Sequence, residues 1–288
     1  MNINDVWSTE PKISVIMSVY NCEDTLEEAI DSIIAQTYSN WEFVICNDCS
    51  TDRTQDILES YKRRFPDKFI LIKNEQNMKL SYSLNECLKY ATGPIIARMD
   101  GDDISEPTRF EEQITVLSSH PEYQLVGTCS RRFDENGLHN VVYYKEFPDR
   151  NILKKTEPFL HATIMLYKSV YDQLGGYRVS KLTERSQDRD LWFRFYYNNF
   201  EGYNIQKPLY LVRENLNAIK RRTIKVRFRS LLIAFNGYKM LGFPWYCYVR
   251  ESALFVIKVI TPPGLAMQYR KYQAKREKTA SENTEDKV

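Results

Sequence analysis

Histidine is nearly missing from this chain: 288 residues hold three, none beyond His161. Six cysteines are present, and Cys46-Asn47-Asp48-Cys49 is formally a C-x-x-C. A zinc centre there would need two more ligands, and the scattered histidines and distant cysteines do not supply them at metal-binding spacing. A redox dithiol belongs at a helix N-terminus, whereas Cys46 closes a strand-like run. The thiols therefore read as reduced, those of a cytoplasmic protein. No secretory leader is expected, because Met1-Asn2-Ile3-Asn4-Asp5 is polar and has no apolar core segment. Long apolar runs are absent too. The most apolar stretch, Phe243 to Ile260, is broken by Lys258 and followed by Pro262-Pro263, short of the roughly 20 residues of a membrane span. No glycine-rich basic loop follows the first strand pattern; Tyr20-Asn21-Cys22-Glu23 stands there, which speaks against a nucleotidyltransferase that makes activated sugars.

With 43% hydrophobic and 13% aromatic residues the chain can bury a full core. Its net charge of +2 hides an asymmetry. Residues 1–200 carry 23 Lys and Arg against 31 Asp and Glu, a net of −8, while residues 201–288 carry 17 against 7, a net of +10. In the basic part, Lys220-Arg221-Arg222-Thr223-Ile224-Lys225-Val226-Arg227-Phe228-Arg229 runs into Leu231-Leu232-Ile233-Ala234-Phe235. Further on, Arg250, Glu251 and Lys258 fall within about 100° of each other on a helical wheel, leaving a wide apolar face. Two readings stay open. One is an interfacial helix, with Trp245, Tyr246 and Tyr248 at headgroup level and Arg270, Lys271, Lys275 and Arg276 meeting an anionic membrane surface. The other is a helical subdomain packed on the rest of the chain or on a dimer partner. From Glu277 onward the polar tail reads as disordered. The basic run alone favours nucleic acid, against an acidic N-terminal half and no binding motif, so no nucleic acid is expected as a partner.

The motif with most chemistry is Asp100-Gly101-Asp102-Asp103, which follows the buried-strand pattern Pro94–Met99. At the carboxyl edge of an open α/β sheet, closely spaced hard oxygens suit Mg2+ or Mn2+. The plain alternative is an acidic turn before the helix that starts near Pro107. Three further strand patterns precede it. Ile13–Val19 leads into a helix with Asp24 as N-cap and Glu27 completing a capping box. Trp41–Cys46 leads through Asn47–Asp52 into a helix ending near Arg64, which puts Asp48 at a strand tip. Phe69–Lys73 is third, and Leu80–Tyr90 has helical spacing. The alternation predicts a parallel, doubly wound α/β sheet.

These residues resemble the family 2 nucleotide-sugar glycosyltransferases, inverting enzymes of bacterial polysaccharide assembly with a GT-A fold. The likeness covers about residues 11–215. It rests on Ile13–Asn21, Asn47–Asp52, Leu80–Asn85, Ile96–Asp103, Pro107–Gln113, Leu174-Gly175-Gly176-Tyr177 and Gln187-Asp188-Arg189-Asp190-Leu191-Trp192. It implies a Rossmann-like, mostly parallel central sheet flanked by helices, with a helical C-terminal segment. The implied organisation is an extension over 1–10, a catalytic domain over 11–215, a basic helical segment over 216–276 and a tail over 277–288. By this resemblance Asp48 reads the nucleotide base, usually uracil, and the backbone of Val19, Tyr20 and Asn21 lines the nucleoside pocket. Asp100 lies near ribose and metal, Asp102 ligates Mn2+ or Mg2+, and Asp188 is the base that deprotonates the acceptor hydroxyl. The chemistry agrees, since a diphosphate leaving group needs a cation and an attacking hydroxyl needs a carboxylate within reach. The alternative for Asp188 and Asp190 is that both simply favour the helix dipole.

The implied reaction is hexosyl or hexosaminyl transfer from a UDP-sugar to a saccharide or lipid-linked acceptor, at the cytoplasmic face of the cell membrane. Gln187 replaces the family's usual Glu before the base. The family's Tyr-Arg-x-His metal pattern is replaced by Leu211-Val212-Arg213-Glu214-Asn215, so either Glu214 substitutes as an oxygen ligand or water and phosphate complete the metal. Cys49 stands where glycine is common. These departures keep open a second function, an inactive relative that binds nucleotide-sugars or acts as a scaffold. His161 opens an expected strand, His161–Met165, beside the acceptor site, and serves either as an acceptor or diphosphate contact or as a structural histidine. Arg98 and Arg109 are expected in ion pairs with carboxylates, Arg98 being a weaker phosphate candidate.

Overall fold

A computed structural model describes Trp7, residues 10–214 and residues 223–261. The N-terminal strands are β1 (Ile13–Val19), β2 (Trp41–Asn47), β3 (Phe69–Lys73) and β4 (Ile95–Arg98). Between them lie α1 (Leu26–Ile34), α2 (Thr54–Arg64) and α3 (Leu80–Tyr90). β1, β2 and β4 are nearly continuous apolar runs, as strands covered on both faces must be. α1 forms because Leu26, Ala29, Ile30 and Ile33 make one buried stripe, each large aliphatic stabilising by about 1.5–3 kcal/mol. That stripe outweighs a missing cap. The expected Asp24–Glu27 capping box is not formed: the helix begins at Leu26, and the Thr25 hydroxyl instead donates to the Gly101 carbonyl at 2.8 Å.

β1 pairs in parallel with β2 on one side and β4 on the other, and β3 lies beyond β2. The chain thus winds outward through β1, β2 and β3, then crosses back to the other side of β1. Such a reversal opens a crevice at the carboxyl ends of the strands that flank it. The second half is mixed. β5 (Ile104–Ser105), β6 (Leu125–Asp134), β7 (Gly137–Val142), β8 (Met165–Tyr167) and β9 (Gly202–Arg213) complete a nine-stranded sheet of order β3-β2-β1-β4-β8-β6-β9-β5, with β7 paired to β6. β6 and β9 run parallel to each other, while β8, β5 and β7 run against their neighbours. The sheet is therefore mainly parallel. α4 (Arg109–Ser119), α5 (Lys168–Leu174) and α6 (Gln187–Tyr197) complete this part.

The strand expected over His161–Met165 is a correction. Residues His161–Thr163 form a 3-10 turn, and the strand runs from Met165 to Tyr167. Thr163 closes the turn by donating both its N–H and its hydroxyl to the Leu160 carbonyl, at 2.9 Å each. A hydroxyl that satisfies the local backbone competes with the sheet ladder.

Two C-terminal helices follow, α7 (Ile224–Met240) and α8 (Trp245–Ile260). Their junction is a Schellman turn: Gly242 has φ +66°, its N–H donates to Lys239, and the Phe243 N–H donates to the Tyr238 carbonyl at 2.8 Å. The Phe243 and Tyr238 rings meet at 5.6 Å and fold α8 back against α7. The pair also packs on α6, because a Cβ on Gly237 would lie 2.2 Å from Phe193 Cγ. No helix of the described residues is long and apolar enough to cross a membrane. Residues 270–276 and the 277–288 tail lie outside the described residues.

Candidate active site

The crevice beside β1 gathers three loops. Val19 ends β1 and is buried, and Tyr20 is exposed just beyond it. Asn21 adopts a left-handed φ of +52°, and its side-chain oxygen accepts from the Thr51 N–H at 2.9 Å. The Asn21 and Cys22 N–H groups donate in turn to Ser50 and Thr54. These bonds zip the β1–α1 loop to the β2–α2 loop and hold the Val19-Tyr20-Asn21 backbone at the sheet edge. Asp48 follows β2 there, its N–H donating to the Val19 carbonyl at 2.9 Å. Its buried carboxylate accepts from Asn74 Nδ2 and the N–H groups of Met78 and Lys79, at 2.7–2.8 Å. Asp48 thus ties down the β3–α3 loop, a structural duty that its place in a motif did not reveal. Cys49 sits at φ +64°, where glycine is the unstrained choice, and Lys79 at φ +73°.

The acidic loop lies at the end of β4. A Cβ on Gly101 would stand 2.9 Å from Val19 Cγ1, so glycine lets the loop close onto β1. Asp100 pairs with Arg98, and its N–H donates to the Tyr210 hydroxyl at 3.1 Å. Asp103 is buried and accepts the Arg213 N–H at 2.9 Å, while Arg213 Nε donates to the Asp102 carbonyl. No other described residue hydrogen-bonds the Asp102 carboxylate. Burial, then the Asp100 charge, pushes the Asp102 and Asp103 carboxyls up from their ordinary values. Clustered hard oxygens whose mutual repulsion favours protonation are a donor set that fits a divalent cation. Arg213 and Tyr210 were not expected here. The available signal was one cation at the end of the last strand, in a chain whose acids cluster at this edge.

Arg98 and Arg109 have different fates. Arg98 is buried, and the Asp100 carboxylate more than offsets the burial that would weaken its charge. Its Nε–H meets no described acceptor. Arg109, expected in an ion pair, has no carboxylate partner among the described residues and is a correction. Burial pulls its pKa down to about 10, and its guanidinium donates to Gln113 and to the Arg98 carbonyl and lies 5.0 Å from the Tyr210 ring centre. It braces the acidic loop from beneath.

The first turn of α6 carries Asp188 and Asp190. Asp190 accepts from Arg178 at 2.7 Å and Arg194 at 2.8 Å, and Arg194 also donates to the carbonyls of Leu174 and Gly176. Asp190 is thereby consumed in anchoring α6. The Asp188 carboxylate accepts the N–H of Arg189, at 2.8 Å, and among the described residues no side chain donates to it. Burial pushes it up from the ordinary carboxylate range, with the Arg189 N–H and the Arg98 charge holding it back. Arg98 therefore acts electrostatically both on Asp188 and on the acidic loop. Glu157, unremarked in the sequence, interacts with Asp188: its Oε2 is buried without a hydrogen-bond partner among the described residues, and burial plus the Asp188 charge push it up to about 8.

His161 is buried against Tyr177 and Trp192, its Nε2 2.7 Å from the Tyr177 hydroxyl, which is 2.6 Å from that of Tyr171. Burial, then Arg98, lowers its pKa well below the ordinary histidine value, so it is neutral. Glu214 points elsewhere than the acidic loop: it pairs with Arg132 at 3.2 Å and shares its surroundings with Asp134 and His139, the three offering ligand atoms within 4.8 Å of one another. The expected substitution of Glu214 for a metal-binding histidine at Asp102 has no support in this placement. The C-x-x-C also separates, with Cys46 buried and Cys49 Sγ donating to the Glu75 carbonyl; both are free thiols.

Residues 14–175, more than half of the chain, match the family described as Glycosyl transferase family 2. The chain belongs to this family. EpsE of Bacillus subtilis (strain 168) is 42% identical over 270 residues, 93% of this chain and 96% of that protein. The amylovoran biosynthesis glycosyltransferase AmsE of Erwinia amylovora is 28% identical over 272 residues, 89% of this chain and 96% of that protein. S. aureus TarS 1–349 in complex with UDP-GlcNAc has TM-score 0.64 at 17% identity, covering 85% of this chain and 81% of that one. The mannosyltransferase PcManGT from Pyrobaculum calidifontis, in complex with GDP-Man and Mn2+, has TM-score 0.58 at 19% identity, covering 94% and 83%. These structures show the fold, which is GT-A. This family 2 member is a glycosyltransferase, with relatives named for polysaccharide biosynthesis.

Proposed function

We propose that this glycosyltransferase is inverting and metal-dependent, moving a sugar from a UDP-sugar to a saccharide or lipid-linked acceptor. The observation that carries the reading is Asp188: among the described residues no side chain hydrogen-bonds its carboxylate, its proton affinity is raised, and Arg98, the partner of Asp100, also acts on it. In this reading Asp188 accepts the proton of the acceptor hydroxyl while that oxygen attacks the anomeric carbon. The bond to the diphosphate breaks on the opposite side, which inverts the centre. Asp100 and Asp102 would hold Mn2+ or Mg2+, which when bound supplies Lewis-acid stabilisation of the leaving diphosphate. Arg98 offers its unassigned Nε–H to an anionic ligand. Tyr210 and Arg213 keep the acidic loop in place. Asp48 has three of its roughly four acceptor positions occupied, which leaves one for a base N–H such as that of uracil.

The C-terminal helices support a peripheral membrane role. Trp245, Tyr246, Val249, Val256, Ile257 and Ile260 of α8 are exposed, beside exposed Ile224, Phe228 and Leu232 of α7. Apolar and aromatic groups with basic neighbours such as Lys225 and Lys258 suit the headgroup region of anionic lipid. A hydrolysis screen of nucleotide-sugars with and without Mn2+ tests the donor assignment. Mn2+-stimulated release of UDP is expected; cleavage confined to GDP- or dTDP-sugars would refute the UDP reading, and no cleavage of any donor would favour an inactive relative.

A further inference from the structure

The residue after the proposed base is tied to the C-terminal helices. Arg189 Nη1 stands 2.9 Å from Glu251 Oε1 of α8 and donates to Ser230 of α7, to Oγ at 3.2 Å and to the carbonyl at 3.4 Å. The other Glu251 oxygen accepts from the Tyr238 hydroxyl at 3.2 Å. The pair is shielded, with side chains 16% and 10% exposed. A second bridge, Arg229 to Glu184 at 3.0 Å, joins α7 to the segment leading into α6. The helical wheel placed Glu251 on a polar stripe with Arg250 and Lys258, but it faces inward.

We infer that Glu251 is a positioning residue for catalysis: it holds the Arg189 guanidinium on the α7–α8 side, so that the neighbouring Asp188 carboxylate stays free to take the acceptor proton. The inference rests on Asp188 being the base. Asp188 and Arg189 are adjacent in one helical turn, and the Arg189 charge already lowers the proton affinity of Asp188 even while Glu251 neutralises it; a guanidinium released by Glu251 would act on that carboxylate more strongly. The result would be a further loss of proton affinity at Asp188. As packing alone the ion pair would be a poor choice, because apolar side chains of similar volume fill such positions at equal or lower cost. The charged groups that interact with Asp188 are Arg98 from β4, Arg189 on α6 and Glu157 from the segment before the 3-10 turn at His161, while Glu251 from α8 pairs with Arg189 and acts on Glu157. Glu251 is the one carboxylate among them that ion-pairs with Arg189.

The test uses the full chain and follows donor KM, kcat, the pH profile of kcat and thermal unfolding. Glu251→Gln is expected to lower kcat by about 10–100-fold, as small misplacements of catalytic groups do. Donor KM should be unchanged, and the acid limb of kcat should move to lower pH. Adding Arg189→Met removes the competing cation and should recover most of the lost turnover. If Glu251→Gln fails to fold, Glu251→Asp, which keeps the charge with a shorter reach, should show the same acid-limb shift with a smaller loss. A folded Glu251→Gln protein with wild-type kcat and pH profile would overturn the inference, as would a double variant that recovers nothing. Asp188→Asn examines the base reading separately, since wild-type turnover there would remove the base whatever Glu251 does.

Discussion

Asp188 and Asp190 lie two residues apart in one turn of α6, yet their surroundings divide the work between them. Asp190 is saturated by Arg178 and Arg194, while among the described residues Asp188 accepts from backbone N–H and from no side chain. Replacing Asp188 with Asn is therefore expected to lower kcat by about 10²–10⁴, the range for a lost general base. UDP affinity measured by titration calorimetry should hold. A mutant that loses UDP binding instead would make Asp188 a binding group. In the acidic loop, the Asp102 carboxylate holds no other described residue in place, so Asp102→Asn should fold normally and weaken Mn2+-dependent UDP binding by about tenfold or more. Undiminished affinity would remove Asp102 as a ligand. Asp100 is a less clean test, because its carboxylate also neutralises buried Arg98.

At the scale of elements, the first half of the chain follows its periodicity closely. β1, β3 and α3 occupy the residues their patterns predict, and β2 and β4 differ by a residue or so at their ends. Buried parallel strands impose long apolar runs, and such runs are visible without knowing their partners. The cap of α1 and the turn at His161 escaped because Thr25 and Thr163 spend their hydroxyls on carbonyls, one of them 76 residues away. The α6–α7 contact hangs on a missing side chain. Gly237→Ala would place a methyl 2.2 Å from Phe193 Cγ, and overpacking of this kind costs about 1–3 kcal/mol. Urea denaturation of the full chain is expected to show that loss with an unchanged slope. An alanine protein as stable as the parent would mean the two helices are not in close contact.

For the whole molecule, α8 has two faces with different roles. Cys247, Tyr248 and Glu251 turn inward, Tyr248 packing on Phe235 and Tyr238, so Tyr248 is not among the outward aromatics that the sequence suggested. Trp245 and Ile257 are 75% and 54% exposed. The double variant Trp245→Glu, Ile257→Glu is therefore expected to fold and to hydrolyse donor, yet to lose sedimentation with phosphatidylglycerol vesicles that the parent shows. Equal sedimentation of the two proteins would mean that this face is not the anchor. Point changes on the outer face are the cleaner tool, because removing α8 would strip Arg189 of its partner and expose Phe243 and Tyr238.

The succession of the first four strands, the family and the acidic residues at the strand tips were determined by sequence alone, because each depends on local periodicity or on short motifs close in the chain. Asp48, Asp100 and Asp102 could be named that way. Tertiary structure alone decided which of two adjacent helix acids stays free, that Arg213 and Tyr210 brace a loop about 110 residues earlier, and that Glu214 faces Arg132. It also turned Glu251 toward Arg189. These outcomes depend on which side chains the fold brings together from distant segments, and a charge on a helical wheel carries no record of the partner it will meet.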